Sequence, residues 1–376
     1  MKKFQPFVME RMMSKWENVA EYNLSESGVH PMTLAELMQM AGKTVEELGK
    51  LEIGYPQTNG TLELRETIAQ MYAGASADQV LVSVGAAEAN YIALHTVLDP
   101  GDHMALMVPN YMQVEGIAHN HGVEVTPFAL RPENGWAPDM EQLRAAVTPR
   151  TKLIAVCNPN NPTGRIMTRP EMEEVVAIAD SVGAWILSDE VYRGAERETD
   201  EESPSFYGMY DKVLAQGSMS KAYGLPGLRL GWTAGPADML DEMWARREYT
   251  TISTTKLSNE LAAIALSAQV RPKILARTRG YIRAGFPILQ AWVEQHGDMF
   301  TMAPSQAAAV AFLRYDIDIN STELIKRLYQ NQKTLIVPGD HFDLDHHVRI
   351  SFGLPQDYLN EGLRRVQVEL GALQGV

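Results

Sequence analysis

One cysteine, Cys157, stands in a chain of 376 residues, so no internal disulfide can form, and no Cys/His cluster accompanies it that would hold a structural zinc. Both absences fit a reducing, cytoplasmic setting. Apolar runs are short: none reaches the about eighteen residues that a membrane-spanning helix needs, and a soluble protein without a membrane partner is expected. The start, Met1-Lys2-Lys3-Phe4-Gln5-Pro6, is basic, but Glu10, Arg11, Lys15 and Glu17 interrupt what would have to be the apolar part of a signal peptide, so no export signal is expected. Positive charge is also scarce. With 33 Lys+Arg against 47 Asp+Glu the net charge is −14, which argues against nucleic-acid binding, since phosphate neutralisation needs a cationic face. Internal repeats, low-complexity linkers and long like-charge blocks are missing, so any domains must be packed closely together. Small molecules are the expected partners.

Hydrophobic residues make up 45% of the chain, enough for a large core. From 77 to about 235, short apolar runs alternate with amphipathic stretches, the pattern of a mostly parallel sheet covered by helices and therefore of an α/β fold. Strands are predicted at 80–84, 103–108, 123–130, 152–157, 185–188, 212–216 and 230–234. Helices are predicted at 86–97, 111–121, 140–147 and 169–182, the last announced by Thr168 as N-cap with Pro170 in the first turn. Beyond Gly235 the text turns helical, at 237–249 and from 255 to about 294 with a break near Pro272. A smaller α+β unit follows, with strands at 307–315, 334–337 and 347–352, a helix at 321–330 and a closing helix at 357–373 that carries Leu359, Leu363, Val366 and Leu370 on one face. The expected organisation is an N-terminal segment 1–45 without a sheet of its own that packs on the small domain, a large domain 46–270 and a small C-terminal domain 271–376.

Three strings carry chemistry. Ser218-Met219-Ser220-Lys221 follows an apolar strand and leads to Gly224, Gly227, Arg229 and Gly231. The glycines let the backbone approach a ligand, and Arg229 offers a planar fork suited to a phosphate. A lysine is ordinarily protonated, so a nucleophilic Lys221 needs desolvation or a neighbouring cation. Asn158-Pro159-Asn160-Asn161-Pro162-Thr163-Gly164 makes a rigid polar loop at another strand exit, where open α/β sheets bind ligands. Ser188-Asp189-Glu190-Val191-Tyr192 ends a third strand. Asp189 there, partly buried, needs a cationic partner. Each string alone has an ordinary structural alternative: a solvated loop lysine, asparagines that only make turns, a helix-capping aspartate.

Together, and in this order, the strings resemble the pyridoxal-phosphate enzymes of fold type I, most closely the class I/II aminotransferase family. Further matching pieces are Gly54-Tyr55-Pro56 with Gly60, Leu64 and Arg65; Ser83-Val84-Gly85-Ala86-Ala87-Glu88; Pro109-Asn110-Tyr111; and Val348-Arg349-Ile350-Ser351-Phe352-Gly353. The resemblance implies a large domain with a mostly parallel sheet plus a smaller α+β domain, and pyridoxal 5′-phosphate as cofactor. It implies that Lys221 holds the cofactor as a Schiff base and shuttles the proton between the substrate Cα and C4′. Asp189 would pair with the pyridinium nitrogen, while Tyr192 and Asn161 would hydrogen-bond the 3′-oxygen. The phosphate would lie against Gly85, Ala86 and Ala87 at a helix N-terminus, with Ser218 and Arg229, and Tyr111 would stack on the ring. Arg349 would grip the substrate α-carboxylate, with backbone contact from Gly28. Tyr55 would reach the phosphate of a neighbouring subunit, which implies a homodimer with shared sites.

The activity so implied is transfer of an amino group from an L-amino acid to a 2-oxo acid. The rival within the same cofactor class is a lyase or cyclase, and Ser25-Glu26-Ser27-Gly28-Val29-His30 resembles the matching segment of capreomycidine synthase, a fold type I enzyme. No second base or leaving-group acid is placed by these motifs beside Lys221, so return of the proton by that lysine is the expected outcome. An aminotransferase-like half of a transcription regulator is disfavoured, because no basic segment precedes the domain. Glu26 is a candidate to select a cationic or polar amino acid, against the plainer reading of a solvated turn carboxylate. Cys157 reads as a small core residue. His341, His346 and His347 near Asp343 and Asp345 read as solvated loop residues, and no metal is assigned. The methionines at 9, 12, 13, 38 and 40 read as core filler.

Overall fold

A computed structural model describes residues 4–374; the basic start Met1–Lys3 and the last two residues lie outside it. An eight-stranded sheet forms its centre, in the spatial order Val80–Ser83, Gly231–Ala234, Val213–Ser218, Trp185–Asp189, Thr151–Cys157, His103–Val108, Glu124–Arg131, Ala137–Pro138. The pairs from Val213–Ser218 to Glu124–Arg131 are parallel, whereas Gly231–Ala234 and Ala137–Pro138 run antiparallel to their neighbours. These strands are apolar on both faces because helices cover both. One apolar cluster packs Ile92, Leu94, Met104 and Leu153 with Leu240 and Met243 on one side, and a larger cluster fills the other.

The strand exits gather at one end of this sheet, where the three sequence strings emerge. Helix Arg169–Val182 starts as the sequence predicts: Thr168 accepts from the backbone N–H of Glu171, and the Glu171 carboxylate accepts in return from Thr168 N at 2.6 Å. Helix 111–121 begins later than expected, at Gln113, because Asn110 Oδ1 accepts from Tyr111 N at 2.7 Å and holds that residue in a turn. The expected break near Pro272 falls at 267–270 instead. Pro272 sits in the first turn of helix Arg271–Gln295, where its missing N–H costs nothing.

A second, four-stranded antiparallel sheet takes the order Phe300–Met302, Val310–Tyr315, His347–Ser351, Val337–Pro338. The strand expected at 307–315 starts only at Val310, since Ala308 adopts a positive φ of 64° that ends regular pairing. The N-terminal segment departs from expectation. Tyr22–Asn23 pairs in parallel with Thr334–Leu335, so this stretch does enter a small sheet. It is tied to the C-terminal elements through Ser351 N to Leu24 O at 2.9 Å and the stacked rings of Trp16 and Tyr329. Its first helix, Val8–Trp16, also touches the opposite side through Tyr111, and so bridges the two sheets' surroundings. Helices Leu34–Met40 and Leu62–Ala69 are additional to those predicted. No helix among the described residues is long and apolar enough to cross a membrane.

Candidate active site

A cavity of about 540 Å³ opens where the carboxyl ends of the parallel strands face Arg349 of strand His347–Ser351 and helix Val8–Trp16. Lys221, Asp189, Tyr192, Asn161, Ser218, Arg229, Ala86, Ala87, Tyr111, Glu26 and Arg349 all line it. Tertiary structure thus brings together residues spread over more than three hundred positions.

Asp189 ends its strand buried in the cavity wall, and burial pushes its carboxyl up to about 6, with Val191 N, the Asn90 side chain and Lys221 pulling the other way. Burial also lowers the Lys221 amine, and Arg349 and Arg229 add to that, while Glu26 and Glu10 oppose it. The lysine is therefore closer to a free nucleophile than a surface amine would be. Tyr192 is raised by burial.

Arg349 is 2% exposed and its guanidinium is pre-positioned from two sides. Nη1 donates to Asn161 Oδ1 at 2.9 Å, Nη2 donates to the Ser25 carbonyl, and Nε has no partner. In the asparagine-rich loop the labour is divided. Asn158 accepts from Met167 N at 2.8 Å and Asn160 accepts from Thr163 Oγ1 at 2.7 Å, so these two shape the loop and leave Asn161 facing the cavity.

The phosphate end is a cradle. Gly85 opens helix Gly85–Val97 at φ +72°, and a Cβ there would meet Arg229 Nη2 at 2.6 Å, so only glycine lets the arginine lie across the helix start. Strand residue Gly231 approaches equally closely, within 2.5 Å of Ala86 N for an added Cβ. Arg229 reaches Ser220 Oγ at 3.3 Å, and Ser218 Oγ accepts from Ser220 N at 3.0 Å. Backbone N–H groups at a helix start beside an arginine fit a phosphate. Two of the buried polar atoms without partners, Arg349 Nε and Asn90 Oδ1, belong to residues that line this cavity. The donor set and the glycine cradle accordingly fit pyridoxal phosphate.

One expected residue is placed elsewhere. Gly28 packs against the backbone of Ser220 and Lys221, with 3.1 Å from an added Cβ to the Ser220 carbonyl oxygen, and does not line the cavity; Ser25 is the N-terminal residue that touches Arg349. Tyr55 is 93% exposed and lies outside this chain's own cavity.

Helix Val8–Trp16 supplies what the motifs did not. Phe7, Met9, Glu10, Met13 and Glu17 all face the cavity, so two of the methionines read as core filler are also walls of the site. Tyr111 Oη donates to Glu10 Oε1 at 2.7 Å, with the Phe7 ring 5.1 Å away. Contrary to expectation, carboxylates do stand in the cavity with Lys221. Glu17 is raised by burial first, then by Glu26 and Glu10. The available sequence signal was the spacing of Glu10, Met13 and Glu17, which share one helix face.

Residues 15–366 match the family described as Aminotransferase class I and II. The chain is 32% identical over 363 residues to capreomycidine synthase of Streptomyces vinaceus, covering 94% of this chain and 90% of that one. A solved PLP-dependent aminotransferase from Streptococcus suis superposes with a TM-score of 0.92 at 34% identity, covering 99% of both chains. The PLP-dependent cyclase OrfR superposes with a TM-score of 0.88 at 26% identity, over 99% of this chain and 98% of that one. The cavity and these likenesses agree: the chain belongs to the class I and II aminotransferase family and is a pyridoxal-phosphate-dependent enzyme of fold type I.

Proposed function

We propose that the protein moves an amino group from an L-amino acid to a 2-oxo acid in two successive half-reactions. The observation that carries this reading is the convergence of a buried lysine, a buried aspartate and a buried, pre-positioned arginine on one cavity. Pyridoxal phosphate supplies an aldehyde that condenses with amines and a ring that accepts electrons from the substrate Cα. Lys221 would hold the aldehyde carbon and, once displaced by substrate, carry the proton between Cα and that carbon. Asp189 would pair with the ring nitrogen and keep it protonated, which its burial makes effective because a charge pair is stronger there. Tyr192 and Asn161 would donate to the ring oxygen, Tyr111 would lie on the ring face, and Ser218, Arg229 and the N–H groups at Gly85, Ala86 and Ala87 would bind the phosphate. Arg349 would fix the α-carboxylate so that the Cα–H bond faces Lys221. A homodimer in which Tyr55 of one subunit reaches the phosphate site of the other completes the proposal, and the full exposure of that tyrosine supports it.

A second reading is favoured by two observations. The likeness to capreomycidine synthase covers 94% of this chain and that to the cyclase OrfR 99%, beside 99% for the solved aminotransferase, and Glu17, raised by burial, could protonate a leaving group. The same residues would then serve an elimination and ring closure. Mixing the enzyme with its amino acid alone separates the two. Transamination converts the cofactor to its amine form once, stops, and is reversed by a 2-oxo acid. Continued product formation without any 2-oxo acid would replace it with the cyclase reading.

A further inference from the structure

We infer that the substrate of this site is an amino acid with a cationic side chain, a guanidinium or an ammonium, read by Glu10 of helix Val8–Trp16 and Glu17 at its C-cap together with Glu26. The inference rests on the proposal that the cavity is an amino-acid site, and it holds for transamination and cyclisation alike.

Among the described residues the cavity is lined by three cations, Lys221, Arg229 and Arg349, and four anions, Asp189, Glu10, Glu17 and Glu26. The proposed roles use all three cations: Arg229 for the phosphate, Arg349 for the α-carboxylate, Lys221 for the amine. Asp189 is matched by the ring nitrogen. Among the described residues the three glutamates line the same cavity with no cation left to pair with them, and Glu17 is hard to ionise first because it is buried and then because Glu26 and Glu10 lie near. Arg349, 2% exposed in the same wall, leaves Nε without a partner among the described residues, and Glu26 and Glu10 act on its guanidinium.

The geometry suits a stem with a charged tip. Glu10, Met13 and Glu17 are spaced three and four residues apart on one helix face, so an apolar side chain separates two carboxylates. Met9 and Phe7 extend that apolar wall. Glu10 is held by Tyr111 Oη, which fixes its carboxylate relative to the ring-stacking tyrosine. A cationic tip would remove the mutual repulsion of the three carboxylates, a neutral tip would leave it, and an acidic tip would increase it.

The test is a titration of the yellow holoenzyme with L-arginine, L-lysine, L-norleucine and L-glutamate, without added 2-oxo acid, following the cofactor absorbance. L-Arginine or L-lysine should half-saturate the change at a concentration at least about tenfold below that for L-norleucine, the uncharged counterpart of lysine, and L-glutamate should be weakest. In Glu17→Gln and Glu26→Gln enzymes the lysine-to-norleucine preference should shrink by about tenfold each. Equal half-saturation by lysine and norleucine, or a preference untouched in both variants, overturns the inference while leaving the amino-acid site standing. If no amino acid of any charge alters the absorbance of cofactor-loaded enzyme, the reading of the site itself falls and takes the inference with it.

Discussion

Arg349 Nη1 donates to Asn161 Oδ1 at 2.9 Å across 188 residues of sequence, which fastens a strand of the four-stranded sheet to a loop at the exit of the eight-stranded one. The guanidinium is thus held in place before any carboxylate arrives. The part of the entropy cost of binding that comes from ordering this side chain is met during folding.

Arg349→Lys should raise KM for the amino acid about ten- to a hundredfold, because a point-charge ammonium cannot make two parallel bonds and still satisfy Asn161 and the Ser25 carbonyl. Cofactor affinity should change little. Steady-state kinetics beside a cofactor titration checks both, and an unchanged KM would remove Arg349 from the site.

Replacing Lys221 by alanine should abolish turnover with the fold retained, since no other lysine among the described residues lines the cavity. The visible absorbance of the lysine-bound cofactor should vanish. Borohydride reduction of wild-type enzyme followed by peptide mapping must label Lys221; a label on a different lysine would refute its assignment.

Asp189 makes a pH prediction for enzyme stripped of cofactor. Its carboxyl sits at about 6 against an ordinary 3.8, so the folded chain binds the proton more tightly than the unfolded chain. The associated stability is fully present below the ordinary value and is lost as pH rises through about 6, amounting to roughly 3 kcal/mol. Asp189→Asn should therefore raise the Tm of the stripped enzyme more at about pH 8 than at about pH 4. The same variant should be nearly inactive when loaded, because nothing then keeps the ring nitrogen charged. A Tm gain that is equal at both pH values would contradict the burial argument.

Gly85→Ala should weaken phosphate binding and cost about 1–2 kcal/mol of stability, since a Cβ at φ +72° strains the backbone and strikes Arg229 Nη2 at 2.6 Å. Equilibrium dialysis of the cofactor reads the first effect and thermal unfolding the second. Wild-type cofactor affinity in this variant would show that Arg229 can leave the cradle freely.

Local order was legible wherever it is written within a few residues. The parallel strands are continuous apolar runs, Thr168 and Glu171 cap a helix by their own side chains, and Lys221 follows its strand directly. The exits of those strands share one end of the sheet as a consequence of parallel pairing, which puts Asp189, Asn161 and Lys221 at one crevice. Element boundaries slipped where a single side chain or an unusual φ intervened, as at Asn110 and Ala308.

The sequence alone specified the parallel sheet and the strand exits that carry Lys221, Asp189 and Asn161, because strand runs and turn chemistry are written close to the residues concerned; the roles of Lys221, Asp189 and Arg349 toward the cofactor and substrate came from the family resemblance of their motifs. The substrate half was decided only by tertiary structure. Glu10 and Glu17 belong to an amphipathic helix whose pattern shows that one face is covered, but not by what. They enter the cavity because Tyr22–Asn23 pairs with Thr334–Leu335 and Tyr111 receives Glu10, contacts between residues about a hundred to three hundred positions apart whose energy comes from burial and pairing with no local signature.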